Sequence, residues 1–237
     1  IGAAQTRLFE LGQELSSQGW EVEVLTALPN YPTGRVFEGY NVRMPMREVL
    51  GRLSVVRLPL RPAQSGFMNR LRCYYSFVRS AIRWGTRLCS KPDVLFVESP
   101  PLFIGQAAVF LSKYWDIPFV FNVSDLWPET AKSMGIVKNR LLLALAEALE
   151  LSYYRRAALV TGTSEEIVAS VRRRCVSTAA EVITNGVDIG RFGPQYADDE
   201  ARSLLGTHDR VTFIYAGVMG LAQGLDLILD VAAAVRD

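Results

Sequence analysis

Three loops combine residue types that suit chemistry on a phosphorylated substrate. The first is Ile1-Gly2-Ala3-Ala4, a glycine with small neighbours just before a helical pattern. Backbone N–H groups at a helix start have no intrahelical acceptor, so a phosphate can approach them where side chains are small. On these four residues alone, a plain turn at Gly2 is the favoured reading. The second is Asn122-Val123-Ser124-Asp125-Leu126-Trp127-Pro128-Glu129, which sets Asp125 and Glu129 past an apolar run. A carboxylate there can accept a proton from a substrate hydroxyl. The same residues also fit a helix cap, with Ser124 or Asp125 capping and Pro128 in the first turn. The third runs from Tyr215 to Gly224 and carries Gly217, Gly220 and Gln223. A glycine turn between a strand and a helix can host a diphosphate. Neither G-x-G-x-x-G nor G-x-x-x-x-G-K-[ST] occurs in the chain.

A fourth feature is electrostatic. Arg72, Arg79, Arg83 and Arg87 follow one another at intervals of 7, 4 and 4 residues. At about 100° per residue they share one helix face, within roughly 80°. Leu71, Tyr74, Val78, Ala81 and Leu88 line the other. Such a stripe is either a solvated face or a contact for anionic headgroups or a lipid-linked phosphate. Residues 40–90 hold ten arginines and one acid, Glu48, a local +9 in a chain whose net charge is only +2. Only four of the 26 basic residues are lysines. The planar fork of Arg suits anions, although a GC-rich genome gives the same bias.

Other chemistries are excluded. His208 is the only histidine and lies in a polar turn, which rules out a multi-histidine metal site or a Ser-His-Asp relay. Cys73, Cys89 and Cys175 are scattered and form no C-x-x-C pair, as expected of reduced thiols on the cytosolic side. Asp198-Asp199-Glu200 reads as solvated acids at a helix start rather than a metal motif. Nucleic acid is not an expected partner, because the basic stripe lacks a stacking platform. No apolar stretch is long enough to span a bilayer: the run 94–111 is broken by Glu98-Ser99-Pro100-Pro101.

The elements that must position these residues follow from hydrophobic periodicity. Helices are expected over 4–18, 67–90, 102–115, 139–157, 165–175 (with Ser164 as N-cap) and 222–235. Strands are expected over 21–25, 54–58, 94–97, 118–123, 158–161, 181–183 and 211–215. Residues 28–52, with Pro29-Asn30-Tyr31-Pro32-Thr33-Gly34, read as one long loop. Alternating strands and helices predict an α/β fold, a parallel sheet with helices on both faces. The chain opens on a helix, so the first strand of such a sheet is expected to be missing. It closes inside a helical pattern, so it reads as a fragment.

Taken in order, Ile1–Ala4, Pro29–Gly34, Asp125-Leu126-Trp127-Pro128-Glu129, Asn185-Gly186-Val187-Asp188 with Phe192, and Tyr215-Ala216-Gly217 through Asp226 resemble the retaining glycosyltransferases of family 4. The chain is most similar to the branch that builds bacterial O-antigen, capsule and colanic acid, N-acetyl-L-fucosamine transferases among them. The resemblance implies the GT-B architecture of two Rossmann-like domains facing across a cleft. Residues 1–190 would be the acceptor-side domain, 191–209 the linker, and 210–237 the start of the nucleotide-sugar domain.

By the same resemblance Gly2, Gly217, Gly220 and Gln223 would meet the donor phosphates. Asn185, Gly186, Asp188 and Glu129 would line the interdomain cleft. Asp125, near where many relatives carry a histidine, would be catalytic. Asn30, Tyr31, Arg72, Arg79, Arg83 and Arg87 would face the acceptor or a membrane. The Arg and Lys that clamp the diphosphate in relatives would fall near Val218 and Gln223, both uncharged. The paired-glutamate donor motif would lie beyond residue 237.

The implied activity is transfer of a sugar, with retention, from a nucleotide-sugar (UDP-linked) to a lipid-linked or polysaccharide acceptor. It would occur at the cytoplasmic face of the membrane without metal or other cofactor. The fragment alone is expected to have little activity. Two other readings are a nucleotide-sugar epimerase of the same architecture and a non-catalytic module that binds anionic membranes.

Overall fold

The computed structural model describes residues 3–31, 33–63, 66–196, 198–206, 211–217, 219–220 and 223–235. Gly2, Val218 and His208 lie outside them.

Helix α1 (Ala3–Ser17) leads into β1 (Glu23–Ala27), then β2 (Met46–Leu50) and β3 (Leu53–Leu58). The long helix α2 (Phe67–Leu88) follows, then β4 (Leu95–Ser99), α3 (Ile104–Trp115) and β5 (Phe119–Val123). Next come α4 (Glu129–Ser133), α5 (Arg140–Tyr154), β6 (Leu159–Gly162), α6 (Glu165–Arg174) and β7 (Ala180–Val182). A 3₁₀ turn at Pro194–Tyr196, α7 (Asp199–Leu204) and α8 (Asp226–Ala234) complete the order.

The strands form two sheets rather than the one expected. β2–β3–β1 is mixed, and β4–β5–β6–β7 is parallel throughout. β1 pairs with β3 in parallel, from Glu23 beside Ser54 to Ala27 beside Leu58. β2, which the sequence places inside a loop, runs antiparallel to β3. Its side chains are mostly exposed, so no apolar alternation marks it. Two ion pairs pin it: Arg57 meets Glu48, and Arg47 Nη1 lies 2.6 Å from Glu23 Oε1. No ladder forms over 211–217, where a strand was expected.

Two apolar cores stabilise the layers. One gathers Val56 and Leu58 of β3, Val78 and Ala81 of α2, and Ala107 of α3. The other gathers Phe119, Phe121 and Val123 of β5, Val160 of β6, Tyr153 and Tyr154 of α5, and Ala108 of α3. Neighbouring alanines of α3 therefore enter different cores, and that helix joins the two sheets. Their small side chains allow the close approach. A Cβ on Gly105 of α3 would lie 2.4 Å from the Tyr153 ring, so only glycine lets α3 and α5 pack this tightly. Each fully buried Leu or Phe contributes about 1.5–3 kcal/mol relative to exposure.

Local rules explain the helix boundaries. Ser164 caps α6 by accepting from the Ile167 N–H, and Asn139 caps α5 by accepting from Leu141 and Leu142. Gly66 precedes α2 with φ 84°, a conformation that a side chain would strain. In α2 Val78 and Ala81 are buried, while Arg72, Arg79, Arg83 and Arg87 are exposed. Tyr74 departs from the expected apolar face and is exposed. Three thiols are free, and burial raises those of Cys73 and Cys89, the latter to about 12.

Candidate functional site

The four-stranded sheet aligns polar residues in a row across neighbouring strands. Glu98 of β4 is in register with Asn122 of β5, and Asn122 with Thr161 of β6. In a parallel sheet, residues in register point to the same face, so these side chains meet. The Thr161 hydroxyl donates to Asn122 Oδ1 at 2.7 Å, and Asn122 Nδ2 donates to Glu98 Oε2 at 2.6 Å. Asn122 and Thr161 are buried, where unmade hydrogen bonds would be costly, and this chain satisfies them.

The row ends at the C-terminal tips of the strands, where open α/β sheets place their ligands. There the Ser124 hydroxyl donates to Glu98, and Arg7 of α1 forms an ion pair with the same carboxylate. Arg7 Nη2 also donates to Ser124 Oγ at 2.9 Å, and its Nη1 donates to Asn185 Oδ1 at 2.8 Å. One guanidinium therefore holds together α1, the loop after β5 and the segment after β7. Glu98 is fully engaged and only slightly exposed. It is a positioning group rather than a free base.

Asp125, next to Ser124, has a different environment. It is half-buried, and its Oδ1 accepts the Thr130 hydroxyl of α4 at 2.7 Å. Among the described residues its second oxygen has no hydrogen-bond partner. Ser124 and Asp125 make no side-chain cap at α4, whose N-cap is Pro128. A carboxylate fixed through one oxygen and open at the other can take a proton from an incoming hydroxyl. Glu129, in the first turn of α4, is exposed.

The remaining predicted residues are dispersed. Asn185 joins the Arg7 cluster, as described above. Asp188 forms a local turn, its Oδ1 accepting from the Gly190 N–H at 2.9 Å, and Gly186 is exposed. Asn30 Nδ2 donates to the Leu28 carbonyl at 2.8 Å just past β1, and the Tyr31 ring is exposed. Gly217, Gly220 and Gln223 are exposed, and Gln223 Oε1 accepts from the Gly220 N–H at 3.0 Å. Gly2 lies outside the described residues. A cavity of about 430 Å³ at the opposite end of β5, between Lys113, Asp116 and Arg156, contains none of these residues.

Arg7, Glu98 and Asn122 are absent from the sequence-based candidates. A single Glu in a strand and a single Arg on a helix carry no spacing signal, and only the sheet register brings them together.

Residues 2–186 match the family described as the glycosyl transferase 4-like domain, which is most of the chain. The chain belongs to that family. It is 29% identical over 244 residues to WcaI of Escherichia coli (strain K12), a protein named for colanic acid biosynthesis glycosyl transfer. That match covers 96% of this chain and 58% of WcaI, so the chain spans little more than half of that relative. Among solved structures it is similar to sucrose-phosphate synthase from Thermosynechococcus elongatus, with a TM-score of 0.72 at 17% identity, covering 99% of this chain and 55% of that one. UGT89C1 of Arabidopsis thaliana is similar with a TM-score of 0.52 at 12% identity, covering 85% and 51%. At such identities the structural likenesses establish the fold alone. They place this glycosyl transferase 4-like chain in the GT-B architecture. No described helix is long and apolar enough to cross a membrane.

Proposed function

We propose that the protein is a glycosyltransferase of polysaccharide biosynthesis, moving a sugar from a nucleotide-sugar donor to a glycan acceptor, and that residues 1–190 form its acceptor side. The observation that supports this most is the Arg7–Glu98–Ser124–Asn185 cluster, which sets Asp125 at the strand tips within a glycosyl transferase 4-like domain. Asp125 receives or orients the acceptor hydroxyl. Asn185, Gly186, Asp188 and Glu129 line the facing cleft.

The finer reading follows the sequence. The donor is UDP-linked, transfer retains the anomeric configuration, and no metal takes part. Charge developing on the leaving diphosphate is met by backbone N–H groups near Gly2, Gly217 and Gly220 and by Gln223. Preorganised donors of this kind contribute about 10²–10³-fold each in acyl-transfer enzymes. The acceptor is lipid-linked, and the exposed Arg72, Arg79, Arg83 and Arg87 hold the protein to the anionic inner face of the cytoplasmic membrane.

The test is transfer of radiolabelled sugar from UDP-sugars to a membrane-extracted lipid acceptor, with the protein at its natural length. The expected result is label in the lipid fraction. Donor consumed with the sugar epimerised and no label transferred would overturn the reading.

A further inference from the structure

The Glu98 cluster contains one contact that holding the strand tips does not require. Arg7, in the second turn of α1, reaches three residues on three separate segments. Its Nη2 pairs with the Glu98 carboxylate of β4 and donates to Ser124 Oγ at 2.9 Å, while its Nη1 donates to Asn185 Oδ1 at 2.8 Å. The ion pair is largely shielded, with Arg7 19% and Glu98 14% exposed, and it balances both charges by itself. The contact at Nη1 instead runs outward, to an exposed residue 178 positions away in sequence.

The two ends of this guanidinium are tethered differently. On the inner side Ser124 is fixed: its backbone N–H donates to the Ser99 carbonyl at 2.9 Å, and its hydroxyl donates to Glu98. Asp125 follows directly, so the direction of its carboxylate depends on how Ser124 is seated. On the outer side Asn185 stands three residues past the end of β7. The Ile183 N–H donates to the Gly162 carbonyl at 2.9 Å, and beyond it, among the described residues, 184–187 make no backbone hydrogen bond. The Asn185–Arg7 contact is the hydrogen bond that returns this segment to the sheet. Segments with few backbone bonds open at low cost. A guanidinium is planar, so Nη1 and Nη2 cannot move independently, and a shift of Asn185 turns the fork against Ser124 and Glu98.

We infer that Arg7 is a positioning residue that couples the segment after β7 to the loop carrying Asp125. With Asn185 on Nη1, Nη2 lies against Glu98 and Ser124, and Asp125 is held for the acceptor hydroxyl. With Asn185 withdrawn, the fork turns and the loop loses that setting. A displacement of about 1 Å at a reacting group can cost on the order of 100-fold in rate, so a small turn suffices. The inference rests on the reading of Asp125 given above, and adds that acceptor activation requires the segment after β7 to be seated. An ion pair serving stability alone would be indifferent to Asn185.

The coupling is measured without donor or acceptor. Trp127 lies two residues past Asp125, and its backbone N–H donates to the Asp125 carbonyl at 3.1 Å, so its ring reports on that loop. The protein at its natural length is labelled with 5-fluorotryptophan, and the fluorine resonance lost in Trp127→Phe is the reporter. Asn185→Ala is expected to move that resonance by more than its linewidth and to leave the other tryptophan resonances in place. Asn185→Asp, which keeps an oxygen for Nη1, is expected to leave it at the wild-type position. In Arg7→Lys, whose ammonium keeps the charge but has no fork, adding Asn185→Ala is expected to move it no further. Asn185 is exposed, so its substitutions leave the fold in place. A Trp127 resonance indifferent to Asn185→Ala, or moved equally by Asn185→Ala and Asn185→Asp, would overturn the coupling.

Transfer kinetics then test its use. Asn185→Ala is expected to lower kcat about 10-fold, as for loss of one charge-assisted hydrogen bond, with acceptor KM within about 2-fold. The double variant with Arg7→Lys is expected to have the kcat of Arg7→Lys alone. Losses that multiply would overturn the positioning role. Absence of transfer by the wild-type protein would count against the proposed function, while the resonances still decide the coupling.

Discussion

The regions beyond the strand tips of the two sheets carry charge in opposite ways. At the tips of β4–β7 every charge in the Arg7–Glu98 cluster has a partner, and the hydrogen bonds continue through Ser124, Asn122, Thr161 and Asn185. Beyond the tips of β1 and β3, Arg35, Arg61 and Arg72 line an open depression that no carboxylate lines. A satisfied network fixes geometry, because any movement breaks several bonds together. The first region is therefore held in one geometry beside Asp125, whereas the three arginines of the second are exposed and make no ion pair among the described residues.

The comparison predicts unequal responses to substitution. The largest effect is expected from Glu98→Ala, which leaves the largely buried Arg7 without its carboxylate and removes the acceptor of Asn122 and Ser124. Such breaks in buried pairs cost about 3–5 kcal/mol, and partial exposure here reduces that to about 2–3 kcal/mol. Urea unfolding measures it; a loss below about 0.5 kcal/mol would show that the cluster is not structural.

A smaller, pH-dependent effect is expected at Glu150. Its carboxylate is buried, accepts the Tyr154 hydroxyl at 2.5 Å and faces Arg174 Nη2 at 2.5 Å. Burial raises its pKa, and the Tyr154 and Arg174 contacts only partly offset this. The folded chain thus holds the proton more tightly than the unfolded chain. Stability from this group is greatest below the ordinary carboxylate range and falls as pH rises through the raised value. Glu150→Gln keeps an acceptor for Tyr154 and removes that slope. Unfolding free energies from pH 4 to 8 should then drift in favour of the variant as pH rises. A constant difference would place Glu150 outside the titrating groups.

The smallest effect on stability is expected at the unpaired arginines. Arg35→Ala, Arg61→Ala and Arg72→Ala should each change unfolding free energy by less than about 0.5 kcal/mol, since surface groups without partners contribute little. A loss above about 1 kcal/mol in any of them would reveal a structural role and weaken the contrast.

Much of this was legible in the sequence, and what escaped has physical causes. Long periodic helices such as α2, and the Ser164 cap of α6, follow from side-chain spacing and local hydrogen bonding. The Ser124–Asp125 loop stands out in the sequence as a carboxylate past an apolar run, and the structure places it just after β5. β2 was missed because an exposed edge strand has no apolar alternation and is held by β3 and by ion pairs. Two sheets in place of one depend on which strands pair, and short apolar runs do not encode that choice. Glu98 and Arg7 are 91 residues apart, and their meeting depends on sheet register. The Arg stripe was visible as a helix face, but the open depression needs Arg35 and Arg61 brought in from other segments.

The central claim is that the Arg7–Glu98 cluster holds Asp125 for the acceptor hydroxyl, and acceptor kinetics test it most directly. With transfer to a lipid-linked acceptor as the readout, Asp125→Asn should lower kcat about 100-fold or more with little change in acceptor KM. If Asp125→Asn retained full kcat, or moved acceptor KM in its place, the role given to Asp125 would be contradicted.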